Sequence, residues 1–489
     1  MGVPAPELRR ARAATATLFA VNGALFANLL PRYPEIKTDL GMTNTVLGLT
    51  VAAFPAGALL FGPVAGALLR RFGSARVAVV TGVALAVLLC AAALAPTPAL
   101  LAGALLLAGG ADAVTDVAQN AQGLAVQRRY GRSIINSLHA TWSIGAVCGG
   151  LMGAAAVAAG LPRGAQLAVS GLLFGAVCLA MLPLLLPAGA DGSDERGTSE
   201  EGARSIDADG SDERGTSEEG ARSIDADGSD ERGTSEEGAR SIDADGSDER
   251  GTSEEGARSI DADGSDERGT SEEGARSIDA DGSDERAVRA DAPGAARPRP
   301  GSRAVLTLAV LSALGVAGAA VEDVGSSWSA IYLHEVLAVP AAAAAFGYVA
   351  LVGAQFVGRV FGDRLIDRFG EAAVVRAGGL LAAAGMGAAL AFPSAPAVIV
   401  GFGAAGLGVS VVIPAAYHGA DNVAGLRPGA GLTVVSWVMR FGFMCGPPIV
   451  GAIADSAGLR AGLLVVPVAG LVIAAGAGVL GRRRGADAG

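Results

Sequence analysis

The sequence predicts an all-α integral membrane protein: twelve transmembrane helices in two six-helix halves, joined by a long disordered cytoplasmic loop. Three observations predict it. The 489 residues are 51% hydrophobic with a mean hydropathy of +0.45, above soluble globular domains. Crossing a hydrocarbon core of about 30 Å takes about 20 helical residues, and six apolar runs of that length precede residue 188 while six more follow residue 302. Between the two sets the composition breaks into a charged repeat.

Taken in order, Arg9, Arg10 and Arg12 precede the first apolar run, 13–33. No small-residue cleavage pattern follows it, so it is expected to stay as the first span and not leave as a signal peptide. Further spans are expected at 44–68, 77–95, 99–124, 136–160 and 165–187, completing an N-terminal half over 1–187. The second half, 303–481, has runs at 303–324, 341–361, 372–392, 395–417, 429–453 and 459–480. A tail over 482–489 opens with Arg482-Arg483-Arg484. The 72 glycines suit helices that pack backbone to backbone where no hydrophobic drive presses them together.

The linker, 188–302, holds the unit ADGSDERGTSEEGARSID five times without a substitution over 190–279, then a partial sixth copy to Arg286. One isoleucine per unit is its only large apolar residue. Such a segment cannot bury enough surface to offset the entropy of ordering, so it is expected to be disordered. It also distorts the charge balance. Residues 190–286 carry 33 of the 48 acids and 11 of the 37 bases, so the remaining chain has a net charge of +11 although the whole is −11.

The bases of that remainder are placed unevenly. One side of the membrane receives Arg70, Arg71, Arg76, Arg128, Arg129, Arg132, Arg359, Arg364, Arg368 and both terminal clusters; the other keeps Arg32, Lys37, Arg163 and Arg460. The positive-inside rule assigns the first side, with both termini and the repeat array, to the cytoplasm. Lys37 is the only lysine among 37 bases, as in chains from GC-rich genomes, which points to a bacterial source. The four cysteines and three histidines form no metal-ligand or redox spacing, so neither metal nor other cofactor is expected. A phosphate-binding glycine loop, a nucleophile elbow and a nucleic-acid patch are also missing from the sequence, which argues against an enzyme and against nucleic acid as a partner.

The stretch 100–132 carries the clearest chemistry. Asp112, Asp116 and Asn120 recur every four residues, which puts them on one helix face, with Gln119 beside them. A carboxylate at a helix centre in a membrane costs at least ~2.5 kcal/mol, so such residues face a water-filled pathway. Loss of hydration disfavours the charged form of a carboxyl and lets it bind and release protons. Arg440 lies inside span eleven and needs either a carboxylate partner, for which Glu322 and Asp323 of span seven, or Asp116, are the candidates, or an anionic group on a ligand. Asn22, Asn28, Gln119, Asn120, His139, Trp142, Trp328, Gln355 and Trp437 supply amides and aromatic rings that suit a midplane cavity.

Six plus six helices around a long central loop resemble the major facilitator superfamily. Its loop signature, G-x-L-a-D-R-x-G, is echoed by Gly66-Ala67-Leu68-Leu69-Arg70-Arg71-Phe72-Gly73, with Arg70 where the acid belongs, and by GDRLIDRFG at 362–370. The resemblance implies a cytoplasmic latch involving Arg70, Arg71, Asp367 and Arg368. The stretches 31–48, 116–126 with 137–145, 321–337 and 440–460 resemble the fucose-permease-like branch and its bacterial inner-membrane members. Sugar-carrying members of that branch have a span-four word, E-T-A-A-N, that Asp116-Val117-Ala118-Gln119-Asn120 matches with Asp for Glu. That implies Asp116 as proton carrier, with Asp112 as a second.

The expectation is therefore a monomeric alternating-access transporter, taking up a small polar solute such as a sugar with protons across the lipid bilayer. Two alternatives stand beside it. One is a proton-coupled drug or metabolite exporter, disfavoured by glycine at the proline position of the exporters' span-five motif (Gly145 to Ala154). The other is a non-transporting receptor that signals through its acidic loop.

Overall fold

The computed structural model describes residues 6–131, 134–187, 301–423, 426 and 429–480. All but two residues of the linker (188–300), and the tail, lie outside them. The described residues hold twelve helices long and apolar enough to span a membrane and no strand. We number them α1 (Pro6–Asp39), α2 (Asn44–Phe72), α3 (Ser74–Ala93), α4 (Pro98–Tyr130), α5 (Ser137–Ala158), α6 (Arg163–Leu184), α7 (Ser302–Val336), α8 (Ala341–Phe369), α9 (Glu371–Ala391), α10 (Ala395–Asp421), α11 (Ala430–Ala457) and α12 (Leu459–Val479).

Several helices overrun the apolar runs that announced them. The run at 99–124 becomes a 33-residue helix through Arg128 and Arg129, stopped by Gly131 in the left-handed conformation at φ 67°. Hydropathy marks only the part in hydrocarbon, whereas the backbone ladder continues until a cap ends it. Starts are capped as the sequence allows: the hydroxyls of Thr43, Thr97 and Ser394 accept from the backbone N–H of Val46, Leu100 and Ala397.

The two halves repeat one packing scheme. α1 packs on α5, α2 on α4, and α3 on α4 and α6; α7 packs on α11, α8 on α10, and α9 on α10 and α12. Backbones touch where glycine permits it. A Cβ on Gly109 of α4 would lie 1.9 Å from the carbonyl oxygen of Phe54 in α2, and one on Gly406 of α10 would lie 2.0 Å from that of Leu351 in α8. The duplicated loops also keep one backbone device: Gly73 and Gly370, each before the next helix, have φ 78° and 83° with ψ 149°, a region L side chains avoid.

Between the halves, α2 packs on α11 and α5 on α8. The tightest approach is at the end of the bundle carrying the α1–α2, α7–α8 and α11–α12 connections. A Cβ on Gly48 would meet the Pro447 carbonyl oxygen at 2.3 Å, and one on Gly451 would meet that of Asn44 at 2.4 Å. Asp455 at the end of α11 accepts hydrogen bonds from the backbone N–H of Asn44 (2.9 Å) and Thr45 (2.8 Å) and from Asn44 Nδ2 (2.9 Å), capping a helix of the other half. Lys37 and Glu335 pair across the same end at 2.6 Å. That end is shut.

Valine at Gly109 forces α2 and α4 apart. Overpacking of this kind costs about 1–3 kcal/mol, so Gly109→Val is expected to lower the thermal midpoint of the purified protein by several degrees. The same substitution at Gly103, whose Cβ would meet nothing within 4 Å, is the control and is expected to leave it unchanged.

Candidate functional site

A cavity of about 490 Å³ lies between the halves, walled by α1, α2, α4 and α5 on one side and α7, α8, α10 and α11 on the other. Its deep end is formed by buried side chains, among them Tyr33, Asp323, Tyr348 and Gln355. Toward the opposite end its lining becomes exposed at Asp116, His139 and Arg440. The cavity therefore opens at the end of the bundle away from the Lys37–Glu335 pair. The volume falls within the range of about 300–1,000 Å³ that small-molecule sites occupy.

The acids expected in α4 line this cavity, one turn apart. Asp112 is tied to another helix: Asn22 Nδ2 donates to its Oδ1 at 2.7 Å, and Trp142 Nε1 donates to Asn22 Oδ1 at 2.8 Å. Asp116 is tied to its own helix, where Asn120 Nδ2 donates to its Oδ1 at 3.0 Å and to its carbonyl oxygen at 2.9 Å. His139 and Arg440 share the cavity with it.

Four carboxyls thus line one cavity: Asp112 and Asp116 from the first half, Glu322 and Asp323 from the second. Neither span-seven acid pairs with Arg440 in this conformation, and Asp116 faces it across the cavity without an ion-pair contact. Glu322 pairs with Arg359 of α8, whose nitrogen lies 3.5 Å from Oε1, and Gln355, one turn before Arg359, donates to the same oxygen. Arg440 makes no ion pair among the described residues. Helix α8 presents Gln355 and Arg359 on one face directly to α7, whereas Arg440 sits near the open end of α11. Asp323 is also without an ion pair; Ser327 Oγ approaches its Oδ1 at 3.5 Å, and its Oδ2 is buried against Gly446 of α11.

Of the amides and rings expected in the cavity, Asn22, His139, Trp142 and Gln355 line it and the others do not. Gln119 points away from the acids and donates to the Leu18 carbonyl oxygen at 3.1 Å. Asn28 is paired with Gln166 of α6 in a buried cluster with Arg32. Asn120 serves Asp116. Trp328 is fully buried in the helix core, and Trp437 is exposed but outside the cavity lining. Arg70, Arg71, Asp367 and Arg368 are exposed and form no ion pair among the described residues, so in this conformation these four do not latch to one another.

Tyr33, Tyr348, Phe26, Phe54, Ser326 and Tyr417 also line the cavity and escaped the sequence reading. A phenol or phenyl in an apolar run gives no sign of facing water. Arg359 was legible in principle, since it follows Gln355 by four residues and so shares its face.

With this geometry in view, similarity to known proteins is informative. The family model described as Major Facilitator Superfamily matches residues 15–364. The uncharacterized transporter y4wD of Sinorhizobium fredii is 26% identical over 463 residues, covering 94% of this chain and 96% of that protein. Membrane protein MosC of Rhizobium meliloti is 36% identical over 159 residues, 32% of this chain and 39% of its own length. Among solved structures, the nucleoside transporter NupG aligns with a TM-score of 0.62 at 12% identity, over 96% of this chain and 99% of that one. A bacterial homologue of the human lysosomal transporter Spinster aligns with a TM-score of 0.61 at 14% identity, over 98% of each chain. These structural likenesses establish the fold. A match to the family model over most of the chain, twelve spans in two packed halves and a cavity between them lead to one conclusion: the chain belongs to the Major Facilitator Superfamily, and it is a multi-pass membrane transporter of small molecules and not an enzyme.

Proposed function

We propose that the protein is a proton-coupled importer of a small polar solute, such as a sugar, working as a monomer in a bacterial inner membrane. The single observation that carries this reading is the cavity itself: closed at one end, open at the other, with Asp112 and Asp116 on its wall. Aromatic faces from Phe26, Phe54 and Trp142 beside carboxyls, an amide and Ser326 suit a ring-shaped solute bearing hydroxyls. The arginine asymmetry supports an open end facing the cytoplasm, and in this reading the conformation is inward-open. The bacterial relatives support the inner-membrane placement.

In this reading Asp116 takes a proton when the cavity faces outward and releases it, with the solute, when the cavity faces inward. Rocking of the halves must break the Asp455 cap and the Lys37–Glu335 pair, and must bring Arg70, Arg71, Asp367 and Arg368 together to close the other end.

Three expected outcomes test it. In a thermal-shift screen, sugars and small polar metabolites are expected to stabilise the purified protein saturably, as ligands of the folded state do, while hydrophobic cations and antibiotics are not; the reverse would favour an exporter. Asp116→Asn is expected to abolish accumulation driven by a proton gradient while counterflow of labelled solute continues, and full accumulation would remove Asp116 as the carrier. Lys37→Glu places like charges opposite one another. If the closing pair contributes about 1 kcal/mol, the outward-open population rises about fivefold. Spin labels at Thr38→Cys and Val336→Cys, in a background lacking Cys148 and Cys445, would read this as a longer distance.

A further inference from the structure

Asn22 stands where three helices meet. It is 7% exposed, accepts from Trp142 Nε1 of α5 at 2.8 Å, and donates to Asp112 Oδ1 of α4 at 2.7 Å. An indole nitrogen can only donate, so the oxygen of the Asn22 amide must face it. The amide nitrogen is then left facing the carboxyl, and the flip of the side chain is fixed by its partners. An N–H aimed at Oδ1 occupies that oxygen as an acceptor, so a proton arriving from the cavity has Oδ2 to bind.

Asp116 has no such tie. Its hydrogen bonds come from Asn120 on the same helix, so no hydrogen bond carries a change at its carboxyl to another helix. A change at Asp112 must pass through Asn22 to α1 and through Trp142 to α5. Ser143 follows Trp142, and Arg359 of the second half reaches its hydroxyl at 3.5 Å.

We propose that Asn22, clamped by Trp142, is a positioning residue for Asp112: it holds Oδ1 as an acceptor, reserves Oδ2 for proton exchange with the cavity, and transmits the state of that carboxyl to α1 and α5. The inference rests on the proton-coupled reading above and deepens it by making Asp112 the acid whose proton is felt by helix packing. The charged and titratable groups around Asp112 are Asp116 on its own helix, Tyr33 of α1, His139 of α5, Glu322 and Asp323 of α7, Tyr348 and Arg359 of α8, Tyr417 of α10 and Arg440 of α11, all lining the same cavity. From α2 the cavity receives Val51, Phe54, Pro55 and Ala58, none of them ionisable.

The protein carries its own reporter. Trp142 is one of three tryptophans, so in the full-length Trp328→Phe/Trp437→Phe variant its emission can be followed alone from about pH 4 to pH 10. One reversible transition is expected, absent in Asp112→Asn and in Asn22→Leu and retained in Asp116→Asn. Because Trp328 is a core side chain, the same transition is also measured as wild type minus Trp142→Phe, which keeps the natural core. In proton-driven uptake, with each pH profile normalised to its own maximum, Trp142→Phe is expected to move the midpoint, whereas a merely structural loss would lower the rate at every pH and leave the midpoint in place.

A transition that survives Asp112→Asn, one that disappears in Asp116→Asn, or no transition at all overturns the inference. Failure here is separable from failure of proton coupling. Asp116→Asn losing accumulation while Trp142 shows no Asp112-dependent transition would keep the coupling and remove this role for Asn22.

Discussion

Everything about the cavity depends on the contact between α2 and α11. In lipid there is no hydrophobic drive between helices, so association rests on close packing and internal hydrogen bonds. Gly48 and Gly451 let the two backbones touch, and Asp455 then reaches the first N–H groups of α2. With the halves joined firmly at one end, the space between them at the other end becomes a cavity of defined shape. The α5–α8 contact follows the same rule, with Tyr348 seated against Gly150.

Repetition gives the architecture a second kind of economy. Equivalent helices of the two halves meet at equivalent glycine contacts, as Gly109 on Phe54 and Gly406 on Leu351 illustrate. The chemistry placed on that shared frame differs. The first half offers two acids on one helix, one of them braced by an amide and an indole; the second offers an acid with an arginine and a glutamine, and a further acid with no ion pair among the described residues. The electrostatics of the two walls are therefore unlike although their backbones match.

The spans, their number and the acid face of α4 were legible because each is a local property: a run of apolar residues, a four-residue spacing. What the sequence could not reveal is which helix stands opposite. Gln119 is adjacent to Asn120 in sequence yet faces Leu18 of α1, because one residue turns a helix by about 100°. Asn28 finds Gln166 across 138 residues of chain, and Glu322 finds Arg359 where Arg440 was the expected partner. Pairings of this range are decided by packing. The spectator tryptophans tell the same story, since Trp328 reads as a cavity ring in sequence and is core in space.

The cap formed by Asp455 has a genetic consequence. Two of its three hydrogen bonds come from backbone N–H groups at positions 44 and 45, which every residue except proline supplies. The Asn44 and Thr45 side chains add to the cap, but its backbone part survives any change at these positions short of proline, whereas loss of the Asp455 carboxylate removes the cap entirely. Heritable variation that alters the resting balance between the two faces of the membrane should accumulate asymmetrically, tolerated on the α2 side of the joint and purged on the α11 side.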